Sequence, residues 1–141
     1  DIPDTVVCIN DGAFSDSSIH FEEFVLPDHL EKLGPRAFGG RNSSMSVGRF
    51  TISEGNANYK TVGGILFSKD GKTLLRFPTK ADTDLEAVAN EKDGRDSHYV
   101  YQIPEGCETV GKYAFANAKI IKKEKKGPGL KFRNLGPGLY F

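Results

Sequence analysis

Cysteine is scarce in this chain: Cys8 and Cys107 are the only two in 141 residues. One pair is far from a disulfide scaffold. With no C-x-x-C and no Cys/His cluster, a structural zinc site has no support. The three histidines, His20, His29 and His98, have no second ligand at metal spacing. Charge of one sign is absent too. The 19 basic and 19 acidic residues cancel, leaving no net field to steer nucleic acid or an anionic membrane surface. No apolar run approaches the roughly 20 residues that cross a bilayer, so no membrane insertion of this segment is expected. Gly-x-Ser-x-Gly does not occur, and Gly39-Gly40 and Gly63-Gly64 lack the spacing and Lys of a phosphate loop. Asp82-Thr83-Asp84 and Asp93-Gly94-Arg95-Asp96 lack the glycine and the later Glu of a calcium loop. The expectation is a chain with no catalytic residues, no metal and no cofactor.

What is present is ordinary soluble composition, 38% hydrophobic and 27% charged, and a repeat. A branched apolar residue and Pro are followed by Ala-Phe, the Phe eleven residues after the Pro. This is written three times: Ile2-Pro3 to Ala13-Phe14, Leu26-Pro27 to Ala37-Phe38, and Ile103-Pro104 to Ala114-Phe115. Two further positions agree in kind. They are Pro+3 (Val6, Leu30, Cys107) and Pro+6 (Ile9, Leu33, Val110). Each unit has too few apolar groups for a core of its own, so equivalent residues must stack into ladders. The predicted core is Ile2, Val6, Ile9, Phe14, Leu26, Leu30, Leu33, Phe38, Phe50, Ile52, Ile103, Cys107, Val110 and Phe115.

Strands are expected before each Pro, because Pro removes a donor and suits a strand end. They are Phe21–Leu26, Val47–Ile52 and His98–Ile103, with Phe21, Phe24, Leu26, Val47, Phe50, Ile52, Tyr101 and Ile103 facing inward. Val47–Ile52 supplies a fourth, disguised rung. Gly64–Pro78 reads as a β-hairpin turning at Asp70-Gly71, since Gly accepts the positive φ of such turns. Residues 79–98 read as a loop with a short helical turn near Leu85–Ala89. The basic run Lys119–Lys126 reads as a solvated edge or tail. Past Phe115 the register is lost, and residues 127–141 are expected to be a degenerate repeat, a cap or a tail. The chain opens inside a repeat, without a signal peptide, and reads as an excised fragment or a mature product.

These units resemble the BspA-type leucine-rich repeat of bacterial surface proteins. The stretch from Gly55-Asn56-Ala57-Asn58-Tyr59 through Gly64-Ile65-Leu66-Phe67 to Phe77-Pro78 resembles a variant in which a repeat opens into a hairpin ending in an aromatic-Pro pair. The resemblance implies a repeat solenoid. Short strands would stack in a leucine-rich-repeat-like right-handed coil with short turns or helical turns and one inserted hairpin. The repeats would lie near 2–25, 26–50, 51–78 (hairpin 60–78) and 99–126. It also implies a secreted or cell-surface location and a macromolecular partner, a host, matrix or other surface protein. It carries over no catalytic residue.

Cys107 occupies an apolar ladder position, where a buried Cys acts as a small hydrophobe. Cys8, at Pro+5, is expected to be exposed. The two sit in different repeats, too far apart for the geometry of a disulfide. Asn42-Ser43-Ser44 is a glycosylation sequon, meaningful only in a eukaryotic secretory route. Any binding surface is expected along the outward row of adjacent strands: Glu22, Glu23, Val25, Arg49, Thr51, Tyr99 and Gln102. Two readings follow: a non-catalytic module that binds protein or glycan, or a structural spacer displaying another domain.

Overall fold

In the computed structural model the described residues are 2–16, 18–40, 44–78, 86–89, 97–116, 120–124 and 131–132. They form twelve short strands: β1 (Cys8–Ile9), β2 (His20–Val25), β3 (Lys32–Leu33), β4 (Ser46–Thr51), β5 (Tyr59–Val62), β6 (Ile65–Ser68), β7 (Thr73–Arg76), β8 (Glu86–Ala89), β9 (Ser97–Gln102), β10 (Thr109–Val110), β11 (Ile120–Glu124) and β12 (Lys131–Phe132). Among the described residues there is no helix; hydrogen-bonded turns join the strands where helical turns were also expected.

The repeat motif translates into one local path. Each Pro begins a turn whose carbonyl accepts the amide of Pro+3: Val6 from Pro3 at 3.0 Å, Leu30 from Pro27 at 3.2 Å, Cys107 from Pro104 at 3.0 Å. That turn swings Leu30 and Cys107 wholly inside. A two-residue strand follows and pairs in parallel with its counterpart in the next unit, Ile9 opposite Leu33 and Val110 opposite Phe132. A second turn then closes onto Ala, with Ala13, Ala37 and Ala114 each donating to the carbonyl three residues back. The neighbouring turn is bonded in, Phe14 N to Ala37 O at 2.8 Å and Phe77 N to Ala114 O at 2.6 Å. The rings beside them stack, Phe14 on Phe38 at 6.2 Å and Phe77 on Phe115 at 5.2 Å. A small Ala lets the turns approach while the Phe fills the space between them. Gly34 serves the same end: a Cβ there would stand 2.2 Å from the amide nitrogen of Asp11.

The disguised rung follows this path with substituted residues. Ser53 takes the Pro place and Asn56 the Pro+3 place, with Asn56 N bonded to Ser53 O at 3.0 Å. The unit then opens, but not into a single hairpin. β5, β6 and β7 form a three-stranded antiparallel meander. Gly63-Gly64, at φ 58° and 81°, makes the first tight turn, a conformation glycine adopts without steric cost. Asp70-Gly71 makes the second, with Asp70 Oδ1 accepting from Ser68 Oγ at 2.7 Å and Lys72 N at 3.0 Å. β7 then rejoins the ladder, Leu74 opposite Val110 in parallel.

β6 lies inside the core on both faces. Leu66 packs with Leu26, Leu30, Phe38 and Phe50, whereas Ile65 and Phe67 pack with Leu74, Ile103, Val110 and Phe115. The unbroken apolar run Ile65-Leu66-Phe67 follows from that two-sided burial. Ile9, Leu26, Leu30, Phe38, Phe50, Ile103, Cys107, Val110 and Phe115 are buried. Ile2, Val6, Phe14, Leu33 and Ile52, expected in the core, are only partly buried and pack along its margin.

Two stretches depart from expectation. Glu86–Ala89, inside the presumed loop 79–98, is a strand antiparallel to β9, with Val88 opposite His98. A short apolar patch completed by alternate pairing to a neighbouring strand needs no helical turn. Beyond Phe115 the register continues: β11 pairs in parallel with β9, and β12 with β10. The basic run thus supplies the edge strand of the order β11-β9-β8. The sequon at 42–44 lies mostly outside the described residues.

Candidate functional site

The parallel pairing of β2 with β4 sets Glu23 opposite Arg49 and Val25 opposite Thr51. Their side chains form a row along the exposed side. Arg49 donates to Glu23 Oε1 at 3.0 Å. Both ends of this pair are well solvated, so it fixes side-chain positions more than it stabilises the fold, about 0–1 kcal/mol. Val25 stands 62% exposed beside it, and Thr51 is half-buried. Tyr99 and Gln102 belong to β9, five strands further along the chain than β4, where their backbones pair with Ile120 and Glu124; their side chains lie outside the described residues. The two strand pairs belong to different sheets.

One constellation on β2 and β4 was not visible in the sequence. His20 Nδ1 lies 2.6 Å from Ser46 Oγ, and His20 Nε2 lies 2.7 Å from Glu22 Oε1. Hydroxyl, imidazole and carboxylate in line are the parts of a nucleophile, a base and an orienting group. Acyl transfer also needs amide donors aimed at the developing oxyanion. Here the Ser46 amide is already spent on the carbonyl of Ile19 at 3.2 Å. The Glu22 side chain is 83% exposed. The set forms a hydrogen-bond chain across the two strands. His20 and Ser46 are 26 residues apart and meet only through strand register, which no local motif announces.

A second region centres on Arg76, 4% exposed. In the other units a turn separates the short strand from the Phe; in this unit β7 runs directly into Phe77. The guanidinium of Arg76 occupies the vacated place. Nη1 donates to Gly39 O at 2.7 Å and Tyr113 O at 3.0 Å. Nη2 donates to Phe38 O at 3.0 Å and Ala116 O at 3.3 Å. One side chain thereby joins the turn before it in space to the turn after it. Burial pulls its pKa down to about 10. Above the missing turn lies a notch of about 180 Å³, bounded by Gly34-Pro35 and Gly111-Lys112 and floored by Phe38 and Leu75.

Asp11 and Arg36 form a further polar tie between units. Asp11 accepts from Arg36 N at 2.7 Å, Nε at 3.0 Å and Nη2 at 2.8 Å, which holds the Asp11 carboxyl below its usual range. Cys8 is exposed and Cys107 buried, and neither is in a disulfide. Among the described residues no helix is long and apolar enough to cross a membrane.

No protein-family model matches the chain, and no curated protein does either. Solved structures do. The pneumococcal vaccine antigen PcpA matches over 93% of this chain at TM-score 0.65 and 20% identity. A leucine-rich cell-surface protein of Faecalibacterium prausnitzii matches over 92% at 0.62 and 18%. A leucine-rich-repeat protein of Eubacterium ventriosum matches over 92% at 0.59 and 16%. The chain spans 34%, 30% and 42% of those three chains. Stacked units joined by parallel pairing, with three structural neighbours across nearly the whole chain, make this a leucine-rich-repeat fold.

Proposed function

We propose that this chain is a non-catalytic piece of a BspA-type solenoid in a secreted or cell-surface protein, and that it binds a protein or glycan through the outward row of its longer strands. The observation that carries the reading is the exposed row on β2 and β4. There the ion pair Glu23–Arg49 and the apolar side chain of Val25 lie side by side in fixed register. Charge of both signs around an exposed apolar residue suits a broad contact, because polar groups set orientation while the apolar group is desolvated. The row would extend to Tyr99 and Gln102 on β9. The cell-surface protein among the structural neighbours supports the location.

The test is binding of the immobilised chain to a panel of extracellular-matrix proteins and glycans. A partner captured by the native chain, and released by Glu23→Lys with Arg49→Glu or by Val25→Asp at unchanged thermal stability, is the expected result. Binding that survives all three changes overturns the assignment of the surface. No partner in the panel favours a spacer that holds another domain away from the cell.

A further inference from the structure

The notch above Arg76 is lined by an excess of positive charge. Of the residues that line it, Arg76 and Lys112 are cationic and none is acidic. The Asp11 carboxylate, close enough to feel the charge of Lys112, is engaged three times by Arg36. Arg76 itself meets four carbonyl oxygens, with no carboxylate partner among the described residues. The Lys112 ammonium rests 5.3 Å from the centre of the Tyr113 ring, beside the rim. Walls of Leu33, Pro35, Phe38 and Leu75 keep the local dielectric low, which strengthens attraction for an anion.

The residue after Lys112 is strained. Tyr113 sits at φ 62°, at the repeat position where the first unit has Gly12 at φ 77°. A bulky residue in the left-handed region persists only where its surroundings fix it, and such positions gather at ligand clamps. Its carbonyl is one of the four held by Arg76, so the rim and the buried cation are one assembly.

We propose that this notch docks an acidic side chain of a partner protein: a Glu whose methylenes lie on Leu75 and Phe38 and whose carboxylate answers the field of Arg76 and Lys112. The volume suits one side chain, not a cofactor, for which sites of roughly 300–1,000 Å³ are usual. The site is separate from the strand row and stands or falls without it.

The test is an amide NMR titration of the chain with the capped peptide Ala-Glu-Ala, against Ala-Gln-Ala. Saturable shifts are expected at Gly34, Leu75, Gly111 and Lys112, roughly tenfold weaker with Gln because the charge-assisted contact is lost. Lys112→Glu, an exposed change that leaves the core alone, should weaken them, and Leu75→Trp, which fills the notch, should abolish them. Glu23→Lys should leave them unchanged, which separates this site from the strand row. Equal response to both peptides, no response, or shifts spread over Lys32 and Lys72 that persist in Lys112→Glu would overturn the proposal.

Discussion

The side-chain amide of Asn56 donates to the carbonyl of Leu30 at 3.0 Å, from the very ladder position that Leu30 fills in its own unit. It also donates to Asp28 O at 2.8 Å, while its Oδ1 accepts from Asn58 N and Tyr59 N, both at 2.8 Å. A buried Asn here stitches the opened unit to the unit before it.

Asn56→Leu restores the apolar ladder yet should destabilise by about 2–4 kcal/mol, because two carbonyls and two amides lose partners inside the protein. Chemical denaturation of the variant against the native chain measures this. A variant as stable as the native chain would show that ladder packing outweighs the bonds.

Arg76→Met is expected to cost about 3 kcal/mol or more, as four carbonyl oxygens lose a donor in a buried place. Arg76→Lys should recover little, since an ammonium lacks the planar fork that reaches two turns at once. Thermal melts of both variants, compared side by side, check the order.

Gly34→Ala places a Cβ against the Asp11 backbone and should separate the first two units. A loss of about 2 kcal/mol or more is expected from such a backbone clash. Gly106→Ala meets nothing within 4 Å and should change stability by less than about 0.5 kcal/mol. Denaturant midpoints separate the two.

Asp11 and Asp70 both have carboxyls held below the ordinary value of 3.8, by Arg36 first in one case and by Ser68 first in the other. A carboxyl with a depressed folded-state pKa adds stability above its unfolded value and loses it as pH falls through the folded one. Melting temperature should therefore drop as pH falls below about 4. In Asp11→Asn with Asp70→Asn the profile should flatten over that window.

Much of this fold was legible. Pro, Pro+3, Pro+6 and Ala-Phe are each tied to one recurrent hydrogen bond or ladder contact, so the spacing of residue types alone carries them. The disguised unit was harder. Ser53 and Asn56 keep the path while discarding the side chains that mark it, since a turn needs its bond more than its Pro. The tight turn at Gly63-Gly64 had its signal in plain view, but the run from Tyr59 to Val62 is too mixed to announce a strand. The strand at Glu86–Ala89 and those beyond Phe115 depend on pairing with distant neighbours, a long-range cause that local composition does not record. Arg76 and the His20–Ser46 contact are of the same kind: each is made by register between residues far apart in sequence.

A stack of identical repeats can come undone one unit at a time, each losing only its nearest neighbours. The strand Ile65–Ser68 forbids that here. Its Leu66 is lodged among the first units while its Ile65 and Phe67 are lodged among the later ones. Stripping either end lays bare one side of a wall that the other end leans on. The described units, from Ile2 to Phe115, should thereby yield as one body, with the meander as their keystone.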